Sequence, residues 1–222
     1  GWTFVDIDGI DVGTYVVNAQ KIVAEQLDLP AGYSVGWSGQ FEYMERAKEK
    51  LNYVIPLTLA IIAILLFINF RSFIEVAILM GTLPFALIGS IWLMYWENFN
   101  FSIAVGVGFI ALAGVAVEIS VIMLVYLNQA WHRAKEQSGK ETLSLDELRQ
   151  AVTDGAGLRV RPVMMTAAAV IVGLLPILYG SGTGSEVMSR IAAPMVGGMV
   201  SAVFLTLLVL PAVYFMWKKR VS

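Results

Sequence analysis

Cysteine is absent from the 222 residues, and histidine occurs once, at His132. The first absence excludes disulfides, thiolate metal sites and a thiol nucleophile, and the second excludes a zinc centre built on paired imidazoles. Charge is scarce as well. Asp, Glu, Lys and Arg make up 14% of the chain against 58% hydrophobic residues, which with a mean hydropathy of +0.73 excludes an ordinary soluble domain. The net charge of -2 gives no sign of a polyanionic partner. No basic run interleaved with aromatics is present to follow a phosphate backbone, so no nucleic-acid partner is expected. The glycine-rich stretch Gly180 to Ser185 lacks the Gly-Lys-Ser/Thr ending of a nucleotide cradle. No Ser-His pair lies within the apolar stretches, so a hydrolase would have no base for its nucleophile.

What is abundant is apolar length. A membrane-spanning helix needs about 20 mostly apolar residues, and five stretches qualify: 51–70, 73–96, 102–127, 162–179 and 191–217. Ahead of them, Thr3 to Asp8 and Tyr33 to Trp37 alternate apolar and polar residues as strands do. Between these lie a helical pattern over Ile10 to Leu27 and a turn at Leu29-Pro30-Ala31-Gly32. The expected fold is therefore mainly α: a polytopic membrane protein with residues 1–38 forming a strand-helix-strand, part of an α+β subdomain. Residues 39–50 form a helical lead-in, 128–161 a polar link and 218–222 a tail. The opening Gly1-Trp2-Thr3 reads as the continuation of a longer chain.

Short loops rich in Lys and Arg face the cytoplasm. Arg71 follows the first span, and Arg133, Lys135, Lys140, Arg149, Arg159 and Arg161 lie between the third and fourth. With the Lys218-Lys219-Arg220 tail they place the C-terminus in the cytoplasm and residues 1–38 on the other side. In the link, Ser144-Leu145-Asp146-Glu147 has the spacing of a capping box. It predicts a short surface helix that ends at Gly155. His132 is expected to be solvated there.

The third span reads GVAVEISVIML straight through an acid, Glu118. At 1.5 Å rise per residue, Glu118 lies about 24 Å from one end of the span and about 14 Å from the other. A charged side chain that deep usually faces a bundle interior or a wet cavity. Gly114, Ala111, Gly108 and Ala104 share its helical face, a small-residue stripe that admits a neighbouring helix, while Phe109, Val117 and Met123 suit lipid or large apolar neighbours. A desolvated carboxylate binds protons more readily, so Glu118 is a candidate proton carrier. Arg159 and Thr166, seven residues apart, flank the start of the fourth span. Met188, Met195 and Met199 recur at helical spacing around the start of the last. Thioethers suit Cu(I) and Ag(I), although Met also fills apolar gaps.

WSGQFEYMERAKEKL, NFRSF, GVAVEISVIMLVYLNQA, LRVRPVMMT and LLPILYGSGTGSEVMSRIAAPMVGGMV, in that order, resemble the resistance-nodulation-division (RND) exporters across the whole chain. They are most similar to the heavy-metal branch and its copper and silver pumps. The resemblance implies spans eight to twelve of a twelve-span membrane domain, and a periplasmic porter domain to which residues 1–38 contribute. It implies a homotrimer in the inner membrane, embedded in lipid and joined to a periplasmic adaptor and an outer-membrane channel, that exports Cu(I) or Ag(I) for protons without a nucleotide or other cofactor. Glu118 matches the glutamate of the metal branch, where multidrug members have lysine. Arg159 and Thr166 match proton-relay positions, and Met188 matches a methionine of the metal relay. One departure stands out: the copper pumps carry a lysine that pairs with the glutamate, where this chain has Val163. That opens zinc, cobalt or cadmium as alternative cargo. A multidrug exporter of the same fold and a non-transporting membrane scaffold are the remaining alternatives.

Overall fold

The computed structural model describes residues 1–7, 12–28, 30, 32–139, 143–182 and 184–221. Asp8 to Asp11, the turn residues Leu29 and Ala31, Lys140 to Thr142 in the link, Thr183 in the glycine-rich loop and Ser222 in the tail lie outside the described residues. The described elements are α1 (Val12–Gln26), α2 (Gln40–Phe70), α3 (Phe73–Trp96), α4 (Ile103–Ser138), α5 (Leu145–Leu178), α6 (Ser185–Phe204) and α7 (Leu210–Val221). A π-helical turn, Leu205–Val209, joins α6 to α7 without a break. Among the described residues, five helical segments are long and apolar enough to cross a membrane: Gln40–Phe70, Phe73–Trp96, Ile103–Ser138, Leu145–Leu178 and Ser185–Arg220.

The chain divides into two units, Gly1–Ile62 and Ala63–Ser222. In the first, α1 forms around Val16, but no strand forms among the described residues. Thr3 to Ile7 and Tyr33 to Trp37 are irregular. The alternation is real, yet a strand exists only by exchanging backbone hydrogen bonds with a neighbour, and two isolated segments cannot build a sheet with a core.

In the second unit α6 is the hub, packing on α3, α4 and α5. Its small side chains make this possible. Ala192, Ala193, Gly197, Gly198 and Ala202 are all buried. A Cβ on Gly197 would strike the Gly89 carbonyl of α3, and one on Gly198 would strike Leu112 of α4 and Ser90 of α3. Ser90 Oγ donates to the Pro194 carbonyl at 2.5 Å, and Ser201 Oγ to the Ala86 carbonyl at 2.7 Å, closing the α3–α6 seam.

The link differs from the sequence expectation. Helix α4 does not stop with the apolar run at Leu127; it continues to Ser138 and ends on Gly139, whose φ of 60° suits glycine. The capping box is present, with Ser144 N–H donating to Glu147 Oε2 at 2.8 Å and Glu147 N–H to Ser144 Oγ at 3.3 Å. The helix it starts does not end at Gly155. Instead α5 runs unbroken through Gly155 and Pro162 to Leu178. Gly155 is a contact residue: a Cβ there would lie 2.9 Å from Ala130 Cβ and 3.1 Å from the Tyr126 carbonyl of α4. Packing of Leu148, Ala151, Val152 and Gly155 holds the helix through a residue of poor propensity.

Candidate functional site

Helix α4 turns Ile119 and Ser120 into the second unit, at 5% and 1% exposure. Glu118, about 100° away around the helix, is exposed on the outer face of that unit and bonds to no other described residue. The small-residue stripe divides accordingly. Gly108 is buried against the Ile191 carbonyl and Pro194 of α6, whereas a Cβ on Gly114, next to Glu118 on the stripe, would meet nothing within 4 Å. Met123, grouped with the lipid-suited residues by sequence, is fully enclosed instead, because it lies with Ile119 and Ser120 on the core-facing side.

Val163 is 2% exposed and packs in one apolar cluster with Ile119, Ala167, Met199 and Val203. Position 163 is therefore level with the residue beside Glu118. Thr166 is exposed, and its Oγ1 donates to the Pro162 carbonyl at 3.0 Å. Arg159 does not reach Glu118: its guanidinium lies 4.9 Å from the centroid of the Tyr126 ring, and its buried Nε has no hydrogen-bond partner. Arg46 with Glu42 is the only ion pair among the described residues.

The three methionines separate by environment. Met188 is 54% exposed in the first turn of α6, Met195 is half-buried, and Met199 is wholly enclosed by the apolar cluster around Val163, as a packing side chain would be. Among the described residues no three His, Asp or Glu side chains come together as a metal-binding group. At the Met188 end, Tyr179 Oη donates to Glu97 Oε1 at 3.3 Å. The negative charge of Glu97, followed by that hydrogen bond, holds the Tyr179 phenol above its ordinary range.

Two polar groupings escaped the sequence reading. Ser120 Oγ and Thr206 Oγ1 sit 3.3 Å apart in the core, where α4 meets the π-helical turn. At the Lys- and Arg-rich end, Glu75 of α3, Asn128 of α4 and Tyr214 of α7 form a hydrogen-bonded chain. The available signal was an acid inside an apolar span, the same signal that singled out Glu118, but an acid so near a helix end is ordinarily solvated.

Comparison with known proteins places this architecture. Residues 7–218 match the model of the AcrB/AcrD/AcrF family. SilA of Salmonella typhimurium is 50% identical over 220 residues, 99% of this chain and 21% of SilA. The cation efflux system protein CusA of Escherichia coli K12 is 49% identical over 220 residues, again 99% of this chain and 21% of the relative. The cobalt-zinc-cadmium resistance protein CzcA of Cupriavidus metallidurans is 37% identical over 209 residues, covering 94% of this chain and 19% of CzcA. A crystal structure of a heavy metal efflux pump superposes with a TM-score of 0.78 at 33% identity, covering 96% of this chain and 20% of that one. The chain thus spans about a fifth of the length of the relatives it matches. An α-helical chain with five apolar spans, matched along nearly its whole length by these proteins, belongs to the AcrB/AcrD/AcrF family of RND transporters, among its heavy-metal efflux members.

Proposed function

We propose that this chain works within a pump that exports Cu(I) or Ag(I) in exchange for protons, with Glu118 taking up and releasing the proton. The observation that carries the reading is an acid in the middle of an apolar span, in a chain 49% identical to a cation efflux protein. A charge at that depth costs about 2.5–3.5 kcal/mol on insertion scales. It therefore belongs against protein or a wet cavity rather than lipid. The exposed face carrying Glu118 and Gly114 is where the other spans of a twelve-span domain would pack. There Glu118 would be protonated from one side and deprotonated toward the other as the cavity alternates. Each elementary charge crossing 100 mV yields about 2.3 kcal/mol, so no nucleotide is needed. Thr166 fits a place beside that cavity. Arg159 fits the role of a cation that reorients from Tyr126 when an acid comes near. Met188, exposed and soft, is the thioether best placed to pass the ion onward; Met195 and Met199 are weaker candidates.

The pump is read as a homotrimer of the inner membrane, with residues 1–38 in a periplasmic porter domain and the C-terminus in the cytoplasm. A periplasmic adaptor and an outer-membrane channel complete its path. A second reading, export of zinc, cobalt or cadmium, draws on Val163, which leaves Glu118 without the lysine of the copper pumps.

The test uses the full-length pump reconstituted in vesicles with an imposed pH gradient. Cu(I) and Ag(I) uptake by the wild type, lost in Glu118→Gln and in Met188→Leu, is the expected result. Uptake of Zn(II) in place of Cu(I) moves the assignment to the second reading. Uptake without any dependence on the gradient overturns proton coupling.

A further inference from the structure

Glu75 is the third residue of α3, after the N-cap Ser72, whose Oγ accepts from the Glu75 amide at 3.4 Å. A glutamate at that position ordinarily reaches back to the N-cap amide, as Glu147 does at Ser144. Glu75 turns inward instead. It is 6% exposed, and Asn128 Nδ2 donates to its Oε2 at 3.0 Å. Tyr214 Oη donates to Asn128 Oδ1 at 2.7 Å, which leaves the amide only its N–H2 side to offer the acid.

The carboxylate is under-supplied for a permanent charge. An ionised carboxylate has about four acceptor positions, and Glu75 fills one among the described residues, with no ion pair. A buried charge left so poorly matched is costly. The charged and titratable groups facing it are Lys218 and Tyr214 of α7 and His132 of α4, which interact with it through space, with Lys135 of α4 acting in turn on Lys218. Helix α6 adds none, because its Glu186 and Arg190 stand at the opposite end, and the π-helical turn has no ionisable residue. Lys218 does not close on the acid. Its ammonium lies 4.0 Å and 4.2 Å from the ring centroids of Trp131 and Trp217, where the aromatic faces hold it. A proton can neutralise Glu75 without breaking any contact. Oε2 goes on accepting from Asn128, and the proton resides on Oε1.

We propose that Glu75 is a second proton-binding carboxylate of the pump, loaded from the aqueous phase at the Lys- and Arg-rich end and joined by Asn128 to α4, the helix that carries Glu118. The inference rests on the proton-coupled reading above. Binding and release at Glu75 are a simple exchange of one proton with water. When the carboxylate is neutral its pull on the Asn128 amide weakens, and α4 is held less firmly to α3 and α7.

The experiment uses the reconstituted full-length pump with two readouts: the pH profile of gradient-driven metal uptake, and the infrared carbonyl stretch of protonated carboxyl groups as pH is varied. Glu75→Gln keeps the acceptor for Asn128 and so keeps the helices joined. The expected result is a profile midpoint displaced by at least about one pH unit and the loss of one titrating carboxyl band. An unchanged profile with every band retained overturns the proposal. If wild-type uptake ignores the proton gradient, the proton-coupled reading fails by itself, and the infrared band still decides whether Glu75 binds a proton. Should Glu75→Gln fail to assemble, Tyr214→Phe takes its place: freeing Asn128 to rotate must move the midpoint of one carboxyl band, and an unmoved set of bands refutes the assignment.

Discussion

Replacing Gly197 by alanine adds one carbon where Gly197 of α6 meets Gly89 of α3. The new Cβ would strike the Gly89 carbonyl and stand 2.7 Å from Leu93 Cβ. The carbonyl belongs to rigid backbone, so the helices must separate. Overpacking of this kind costs about 1–3 kcal/mol. Separation also lengthens three bonds across the seam: Ser90 Oγ to Pro194 O, Ser201 Oγ to Ala86 O, and Gly89 N–H to Ser201 Oγ at 3.3 Å. Interhelical hydrogen bonds in membranes average about 0.6 kcal/mol each and reach about 1.7. Alanine returns about 1 kcal/mol through helix propensity. The net expectation is a loss of about 2–4 kcal/mol. Gly173→Ala, where a Cβ would meet nothing within 4 Å, keeps the propensity gain without the clash and should be neutral or slightly stabilising. Equilibrium unfolding of the full-length protein in mixed micelles measures both. Equal midpoints for Gly197→Ala and wild type would refute the claim that backbone contact at Gly89 and Gly197 sets this seam.

Met199→Ala should destabilise by about 2–5 kcal/mol, the range for emptying a buried site of this size, whereas Met188→Ala should leave the unfolding midpoint in place and reduce metal uptake. Val163→Lys places an ammonium in the cluster beside Ile119; it should be tolerated with Glu118 and poorly tolerated with Glu118→Gln, giving a coupling of at least about 1 kcal/mol in a double-mutant cycle. Gly114→Leu should unfold at the wild-type midpoint as this chain alone but impair assembly of the full-length pump, provided another span packs on the exposed stripe. Raising the pH leaves the Tyr179–Glu97 hydrogen bond intact below about 10, the ordinary phenol value, because Glu97 keeps the phenol protonated. Its contribution is lost at still higher pH, as Tyr179 ionises, and Tyr179→Phe should abolish that alkaline difference in unfolding curves.

The spans were legible because apolar length is a direct physical requirement of the bilayer, and no competing rule produces twenty such residues in a row. Helix ends were less so. The apolar run stops at Leu127, but hydrogen bonding along α4 does not depend on hydropathy and continues to Ser138. Gly155 and Pro162 read as punctuation; packing against Ala130 and Tyr126 overrides the first, and the second interrupts too little of a 34-residue helix to stop it. The strands at 3–8 and 33–37 depend on partners that alternation cannot supply. At the site, Glu118 was visible as an acid in an apolar run, whereas Val163 stood out only through the family resemblance, which implies a lysine there. The direction Glu118 faces was not visible, because helical spacing gives relative and not absolute angles. Glu75 was hidden for a different reason: its partners Asn128 and Tyr214 lie 53 and 139 residues away in sequence, a distance only folding closes.

The most direct measurement of the central claim is the counterflow of protons when Cu(I) is added to vesicles holding the full-length pump, read with a pH-sensitive dye trapped in the lumen. A pump that cycles a proton on Glu118 gives a metal-dependent change in lumen pH with the wild type, a reduced change with Glu118→Asp and none with Glu118→Gln. A Glu118→Gln pump that moves metal and protons at the wild-type ratio would contradict it.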